Sequence, residues 1–366
     1  MRAVQVTPVE RIDAVVGVTG MNATDNPAPG VPVARSLRHA PEFAGKIIGL
    51  GYDPLDPGFY AEGLLDGGAI LPYPSVGREA LRDRLLWARA ELGIDVLMPN
   101  LDSELRALVA VAPELAERGI RTFLPTLESI ERAGKVQLPR LAESSGVPIP
   151  PSEAILTADA IAKLMDRFGS PVVVKGMYYG ATLAYCEFDA MAAFHKFAAQ
   201  WGLPVIVQKF IPGEEYNVTA LGDGHGNMVG AVAMRKMMIT DKGKGWCGVA
   251  IENPELLRLT ERLIGELRWR GPLEVEVLKD AQSGEHYVIE INPRFPAWIF
   301  LSAGAGLNLP YLALRLALGL PLPSPLPSYR AGTLFVRISL DQIADMSTFE
   351  QLSSMGLLRP TLKAAS

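Results

Sequence analysis

Short apolar runs and amphipathic segments alternate over the first 125 residues. The apolar runs predict buried strands because they are short and rich in Val, Ile and Leu. Leucine and alanine recur at helical spacing through 78–93, which predicts an amphipathic helix. The predicted strands are 14–20, 46–53, 68–75, 94–102 and 120–125, and the predicted helices are 29–40, 78–93 and 103–119. This alternation predicts a parallel α/β layer.

The pattern changes after residue 125. A helix leads through Gly146 into a proline-rich exit, and later strands look antiparallel, with hairpin-like turns at 222–227 and 279–285. The other predicted elements are helices 157–169, 191–202 and 253–269, strands 171–176 and 204–213, and a turn and helix within 303–319. We therefore predict mixed α/β and α+β architecture in three parts. The parts are 1–125, 126–320 with a subdomain at about 150–208, and a small α/β piece at 321–366 that completes the C-terminal domain.

Composition narrows the class of protein. The chain has 366 residues, 49% hydrophobic and 20% charged, and its net charge of −5 gives no reason to expect nucleic acid or an anionic membrane as partner. Two cysteines without a Cys/His cluster suggest neither a disulfide scaffold nor a zinc site. The start lacks a long apolar segment, and the apolar stretch 308–323 is broken by Arg315 and prolines. We expect a cytoplasmic protein.

The acidic hairpin "LEVEVLKDAQSGEHYVIEIN" is the strongest chemical signal. If its two strands pair antiparallel, Glu276 faces Glu290, and two such close carboxylates need a cation to stay ionised. Carboxylate and amide oxygens, here with Asn292, suit Mg²⁺. Solvated acids on an outer face are the alternative. Arg294 favours a phosphate site because it places a fixed cation beside the acids.

Two lysines and one strand end are weaker signals. Lys175 ends an apolar run before Gly176 and Gly180, so it could reach phosphate oxygens, although no Walker A motif is present. Lys135 lies on a predicted helix and alone would be a surface lysine. The segment "VIVQKFIPGEEY" could offer backbone groups and apolar walls to an adenine ring, with a carboxylate for a ribose. Alone, it would be an ordinary strand entering a turn.

Taken together, these elements resemble the ATP-grasp superfamily in order and spacing. The likeness is greatest to the branch that includes each half of the carbamoyl phosphate synthetase large subunit and biotin carboxylase. Its most specific part is "YVIEINPRF", with Glu276 fourteen positions before Glu290. The resemblance extends to about residue 320. It implies an ATP-grasp fold with an N-terminal Rossmann-like domain, a lid subdomain and a C-terminal antiparallel-sheet domain.

The resemblance also implies roles for individual residues. Lys135 and Lys175 would hold the α- and β-phosphates, and the loop from Gly176 to Gly180 would be the flexible lid loop. The adenine-binding segment would be Gln208, Lys209, Phe210 and Ile211, and the ribose carboxylate would be Glu215. Glu276, Glu290 and Asn292 would be metal ligands, with Glu290 bridging two ions. Arg294 would contact the transferred phosphate, and Arg235 is a looser candidate for a second phosphate-facing cation.

The implied activity is an ATP-dependent ligase reaction. ATP and two Mg²⁺ ions, with Mn²⁺ as an alternative ion, would activate a carboxylate as an acyl phosphate. An amine would then displace phosphate, giving an amide and releasing ADP and phosphate. Small carboxylate and amine substrates, such as amino acids or peptides, are the expected partners, with a homodimer as one option. Two alternatives remain: an enzyme that forms carbamoyl or carboxy phosphate, and a silent ATP-binding regulatory protein.

Four further features are ambiguous or negative. The loop "GVTGMNATDNPAPG" lacks GxGxxG spacing, so we do not expect NAD binding. Cys247 could face a substrate, but a small apolar filler is favoured. Asn100, Asp102 and Glu104 near a strand end could bind a ligand, or Asp102 or Ser103 could cap a helix. Trp298 and Phe300 could line an apolar substrate pocket or pack in the core.

Overall fold

A parallel sheet forms the N-terminal layer of the computed structural model, which describes residues 11–23, 27–240 and 245–359. Its elements are β1 (Val15–Thr19), α1 (Gly30–His39), β2 (Lys46–Gly51), β3 (Gly67–Ile70), α2 (Arg78–Leu92), β4 (Val96–Met98) and α3 (Asp102–Glu117). The four strands pair in parallel in the order β3-β2-β1-β4. The predicted parallel layer is confirmed. The strand predicted at 120–125 is wrong, because within it only Arg121 forms an isolated bridge, with Val96.

The second part begins with two helices, α4 (Leu127–Arg132) and α5 (Leu138–Ser145), whose buried residues Ile130, Leu138 and Leu141 belong to the core shared by the two large sheets. A small subdomain with its own hydrophobic core, which we call the lid, follows. Its elements are β5 (Ser152–Ile155), α6 (Ile161–Phe168), β6 (Val172–Lys175), β7 (Ala181–Ala184), α7 (Glu187–Trp201) and β8 (Val205–Lys209). Its four strands are antiparallel in the order β5-β8-β6-β7. The helix predicted from residue 126 is in fact two helices with Lys135 in the turn between them. Gly134 lies in that turn, and Pro139 suits the first turn of α5.

A six-stranded antiparallel sheet forms the third part. Its first elements are β9 (Gly213–Asp223), β10 (Met228–Ile239), β11 (Gly245–Ala250), α8 (Pro254–Leu267), β12 (Arg270–Asp280) and β13 (His286–Asn292). Apolar residues of β9 and β12, such as Val218 and Val275, pack with Leu259 and Leu263 of α8. We call this side the helix-covered face. Residues at the alternate positions point to the opposite side, which we call the site face.

The last segment connects both large sheets. It contains α9 (Phe300–Gly304), α10 (Leu309–Leu318), β14 (Leu334–Val336), α11 (Met346–Met355) and β15 (Leu357–Leu358). β14 is the last strand of the six-stranded sheet, whose order is β13-β12-β9-β10-β11-β14. β15 instead pairs antiparallel with β3 of the N-terminal sheet. The described part of the 321–366 piece, up to residue 359, therefore joins two sheets, rather than completing only the C-terminal one.

Some sequence predictions fall outside the described residues. These are the first ten residues, residues 24–26 of the 17–30 loop, residues 241–244 before β11, and the last seven residues. The predicted domain boundaries stay predictions. Across the described ranges, none of the helices is both long and apolar enough to cross a bilayer.

Candidate active site

The acidic hairpin forms with the register that the sequence suggested. Glu276 pairs with Glu290, and Glu274 pairs with Asn292, across β12 and β13. Since side chains alternate along a strand, all four lie on the site face. Asn292 donates its amide Nδ2–H groups to Glu274 Oε2 and Glu276 Oε1, each at 3.2 Å. Its amide oxygen therefore points away from these two carboxylates.

These residues offer oxygen donors of the kind that Mg²⁺ prefers. Two carboxylates and one amide oxygen lie together, and Mg²⁺ usually completes such a site with water and substrate phosphates. Within the described residues, no three His, Cys, Asp or Glu side chains are arranged to hold a metal by themselves. The donor chemistry of Glu276, Glu290 and Asn292 fits a shared magnesium site better than a protein-only cage.

Two lysines from different parts of the chain meet the acidic hairpin. Lys135 Nζ lies 3.1 Å from Glu290 Oε1 and donates to Tyr178 O at 2.6 Å. Lys175 Nζ lies 3.5 Å from the Ile289 carbonyl. Burial lowers the pKa of Lys175, and the charge of Glu290 opposes this shift. Both lysines predicted to bind phosphates thus lie beside the acidic hairpin. Lys175 comes from the lid and Lys135 from the 133–137 turn.

The cation predicted on β10, Arg235, does not lie on the same face of the sheet as the acidic residues. Arg235 pairs with Tyr216, which packs in the α8 core, so Arg235 lies on the helix-covered face and its side chain is exposed. The next residue, Lys236, points to the site face. It contacts Glu215, and its Nζ lies 3.5 Å from Glu276 Oε2. Although burial lowers the pKa of Lys236, the charges of Glu276 and Glu215 raise it above its ordinary value.

Arg294 is held by the N-terminal layer and the six-stranded sheet together. Its Nε donates to Asp102 Oδ2 at 3.1 Å, and its Nη1 lies 3.5 Å from Glu274 Oε2. Burial and then the Asp102 charge raise the pKa of Tyr179, in the lid loop, to about 12. Burial lowers the pKa of Arg294, but Asp102 and Glu274 raise it further than burial lowers it. Asp102, in the N-terminal layer, therefore contacts both the lid loop and the segment after β13.

The other polar residues near β4 have structural roles. Glu104 is fully buried and accepts hydrogen bonds from the Thr19 and Tyr52 hydroxyls and from two backbone N–H groups. One of these N–H groups belongs to Leu101, the residue that precedes α3, so Glu104 supplies part of the helix cap. Asn100 bonds to carbonyls of Thr19 and Met98. Neither Asp102 nor Ser103 is the capping residue.

Glu274 is a site residue that sequence reasoning missed. It is buried and accepts hydrogen bonds from Asn217 Nδ2 at 2.7 Å and Trp298 Nε1 at 2.8 Å. Burial and then Glu276 raise its pKa, and Arg294 opposes them. Its position two residues before Glu276 was the available signal, since both must share a face. Trp298 is therefore a packing residue that orients this carboxylate.

Arg337, after β14, was also missed. Its N–H bonds to the Trp246 carbonyl, and the alternation from Phe335 puts its side chain on the site face. Burial lowers its pKa and Glu274 opposes this. Cys247 pairs with Val336 and lies on the helix-covered side, so the structure gives it no substrate-facing position.

The predicted nucleotide segment lies between the lid and the six-stranded sheet. Gln208 is buried near the end of β8, and Lys209, the last residue of that strand, is exposed. Phe210 is half-buried and Ile211 is buried. Glu215 follows near the start of β9. The lid loop closes through a Gly176 N–H bond to the Gly180 carbonyl at 3.2 Å. Gly180 has φ +87°, and an added Cβ would lie 2.6 Å from the Phe197 ring, so only glycine suits this position.

Comparisons with known proteins agree with this geometry. Residues 203–337 match the family described as ATP-grasp in the biosynthetic pathway with Ter operon. The carbamoyl phosphate synthase large chain of Thermomicrobium roseum is 27% identical over 179 residues, 45% of this chain and 16% of that protein. The D-alanine–D-alanine ligase of Chromohalobacter salexigens is 26% identical over 190 residues, 46% of this chain and 59% of that protein. The chain thus spans less than two thirds of these curated relatives.

Solved structures share the fold. The biotin carboxylase of Campylobacter jejuni superposes with a TM-score of 0.68 at 19% identity, over 86% of this chain and 72% of that one. The L-amino acid ligase of Bacillus licheniformis gives 0.62 at 18%, over 86% and 76%. Identity this low shows the fold alone. The family match over residues 203–337 and these superpositions agree on an ATP-grasp fold for this chain.

Proposed function

We propose that this protein is an ATP- and Mg²⁺-dependent ligase that joins a carboxylate to an amine through an acyl phosphate. The observation that carries the proposal is the pairing of Glu276 with Glu290 on the site face, with Lys135 and Lys236 beside them. A structural ion-pair cluster needs no such convergence of lysines from a turn and a strand. An ATP site does, because three phosphates must be neutralised.

The roles of the chain's residues follow from their positions. Glu276, Glu290 and the Asn292 oxygen would hold Mg²⁺, which supplies positive charge beside the triphosphate when bound. Lys135 and Lys175 would exchange their present partners for phosphate oxygens. Lys175 is suited to this exchange because burial disfavours its charge until an anion arrives.

Arg294 would contact the γ-phosphoryl group while it is transferred from ATP. The substrate carboxylate attacks the γ-phosphorus, the bond from that phosphorus to the bridging oxygen breaks, and ADP leaves. An amine then attacks the acyl carbon, phosphate leaves, and the amine loses a proton. Arg294 is fixed by Asp102 and Glu274, so its charge is positioned before the reaction begins.

The lid loop would keep water from the acyl phosphate. Tyr178 and Tyr179 lie in this loop, and their rings meet Trp201 edge-on at 6.3 and 5.4 Å. The Tyr178 carbonyl already accepts from Lys135, and Tyr179 lies near Asp102. Both contacts cross from the lid to other parts of the site, so lid position and site geometry are coupled.

A carboxy-phosphate-forming enzyme is the second candidate. It is supported by the structural likeness to biotin carboxylase and the match to a carbamoyl phosphate synthase. Hydroxylamine trapping separates the two. The purified chain is given MgATP, hydroxylamine and a panel of amino acids, other carboxylates or bicarbonate.

The ligase proposal expects a hydroxamate and stoichiometric ADP with at least one organic carboxylate. ADP release that depends on bicarbonate alone would favour the second candidate. ADP binding without turnover across the whole panel would contradict both and favour a regulatory protein.

A further inference from the structure

Arg337 differs from the other arginines that are partly or fully buried. Each of those arginines donates a hydrogen bond to an oxygen atom, and they are Arg82, Arg84, Arg89, Arg132, Arg270, Arg294 and Arg315. Arg337 is half-buried too, but within the described residues its side chain has neither a hydrogen bond nor an ion pair. Burial lowers its pKa, and the charge of Glu274 opposes this shift. The five N–H donors of this guanidinium are therefore available to a ligand.

The surroundings of Arg337 on the site face are aromatic. Phe335 pairs with Gly248 across β14 and β11, and strand alternation places Trp246 on the same face, opposite Arg337. A Cβ added to Gly248 would lie 2.8 Å from the Phe335 ring, so the ring lies directly over this glycine. The guanidinium carbon of Arg337 is 5.9 Å from the centre of that ring, within the range of a cation–π contact. Phe335 and Trp246 therefore provide an apolar surface next to a cation.

Glu274 influences Arg337 but has other partners. The side chains that already bind or approach the Glu274 carboxylate are those of Asn217, Asn292, Arg294 and Trp298. Its charge is therefore already balanced by Arg294. A guanidinium binds a carboxylate through two parallel N–H···O bonds, and such bonds are stronger in a half-buried site than in water. The chemistry of Arg337 thus fits a carboxylate that arrives with a ligand.

The carboxylate that becomes an acyl phosphate is a poor fit for Arg337. The acidic hairpin and β14 lie at opposite edges of the six-stranded sheet, and Arg294 follows the hairpin. The reacting carboxylate must meet the γ-phosphate beside the hairpin. It also loses its negative charge when it binds phosphorus, so a guanidinium bound to it would stabilise the reactant more than the intermediate. A carboxylate that stays charged throughout the reaction suits Arg337 better.

We propose that Arg337 binds the carboxylate of the amine substrate, which is therefore an amino acid rather than a simple amine. The proposal rests on the ligase function proposed above and specifies its second substrate. The amino acid enters from the β14 side, and its amino group faces the acyl phosphate beside Arg294. Its carboxylate takes no part in the reaction. Arg337 is thus a specificity-determining residue and not a catalytic one.

The first test measures binding without turnover. The full chain with saturating MgADP is unfolded by heat in the presence of each standard L-amino acid or of the corresponding amino acid amide. A ligand at about ten times its Kd should raise Tm by about 2 °C in a chain of this size. We expect this shift with at least one amino acid, a much smaller shift with its amide, and none with Arg337→Met. Arg359→Met is the control, because Arg359 is an exposed arginine that pairs with Glu91.

Three results of this test would overturn the proposal. They are a parent that no amino acid stabilises, an amide as effective as its acid, and an Arg337→Met variant that responds like the parent. If Arg337→Met does not fold, Arg337→Lys takes its place. Lysine keeps the charge but cannot form the paired hydrogen bonds, so the Kd of the amino acid should rise by about tenfold. An unchanged Kd would contradict the proposal.

The second test separates this proposal from the ligase proposal. ADP release is measured with a carboxylate that gives a hydroxamate, and the amino acid from the first test is added as acceptor. Arg337→Met should raise the KM for this amino acid by at least about tenfold and lower kcat much less. A loss in kcat alone would overturn the role in substrate binding. Binding through Arg337 without turnover would support the carboxylate site and contradict the ligase function, and turnover that is independent of Arg337 would do the reverse.

Discussion

The N-terminal layer buries Glu104 completely, the six-stranded sheet half-buries Glu276 and Glu290, and the partners of these acids differ. Glu104 is surrounded by donors of its own layer: two hydroxyls and two backbone N–H groups. Glu276 and Glu290 instead meet Lys236 and Lys135, of which Lys135 lies in the turn after α4.

On the proposed function, the difference separates a structural acid from a metal-binding acid. The neutral donors next to Glu104 are fixed by strands and by the start of a helix. Lys135, next to Glu290, would exchange this carboxylate for a phosphate oxygen when ATP binds. The degree of burial alone would therefore not tell which of these acids binds a ligand. Whether the partner of the acid is a neutral donor or a lysine is more informative.

Of the variants that test this comparison, Glu290→Ala should have the largest effect. We expect turnover to fall by about 1,000-fold, because a metal-binding charge at the reacting phosphates is removed. Circular dichroism and thermal unfolding should be nearly unchanged. Glu285→Ala is the control, since Glu285 is an exposed acid of the same hairpin. Near-normal turnover of Glu290→Ala with Mg²⁺ would show that the metal assignment is wrong.

Glu104→Ala should have the opposite profile. Several buried donors lose their acceptor, so we expect the free energy of unfolding to fall by ~3 kcal/mol. Urea denaturation measures this, with Glu117→Ala at the exposed end of α3 as the control. ADP affinity of the folded variant should be retained. A variant as stable as the parent would mean that Glu104 has no structural role.

Glu274→Gln tests the residue that orients Asn292 and Arg294. Loss of a residue that hydrogen-bonds to the metal ligands typically lowers metal affinity by about tenfold or more. We expect ADP affinity measured by calorimetry to fall by about tenfold with Mg²⁺ and to stay unchanged with EDTA. Equal losses under both conditions would indicate a general packing defect instead.

The smallest expected effect is a pH dependence. Burial raises the pKa of Glu104, and the hydrogen bonds it accepts only partly offset this. A carboxyl with a raised folded-state pKa contributes stability below its unfolded pKa, and this contribution is lost as pH rises through the folded value. Relative to Glu104→Gln, the parent should therefore lose on the order of 1 kcal/mol between acidic and alkaline pH. Parallel pH profiles of the two unfolding free energies would contradict this.

Local patterns were enough to predict much of the fold. Strand–helix alternation predicted the parallel layer, and the spacing from Glu276 to Glu290 predicted their cross-strand pairing, which the register confirms. Both depend on residues close in sequence. The assignment of ATP, metal and substrate roles to these residues remains a proposal.

The site features that could not be predicted depend on contacts between residues distant in sequence, or on which face of a strand a side chain lies. Arg235 and Lys236 are adjacent cations, and only the register of β10 against β9 shows that Lys236 faces the acids. Asp102 lies 192 residues before Arg294, so no local pattern could pair them. Glu274 looked like one more acid on a hairpin, because its partners Asn217 and Trp298 come from other segments.

The return of the chain from β14 to β15 has a mechanical consequence. The N-terminal sheet is tied to the six-stranded sheet twice, once through the chain after α3 and again where Leu357 pairs with Ala69. Two tethers form a closed ring, and a ring resists hinge opening far more than a single linker does. The lid, with its separate core, lies on the first tether, and contacts of Lys175, Tyr178 and Tyr179 hold it to the rest of the site. Cleavage of the chain between β14 and α11 should weaken the hydrogen bond between Arg294 and Asp102, although neither residue is changed.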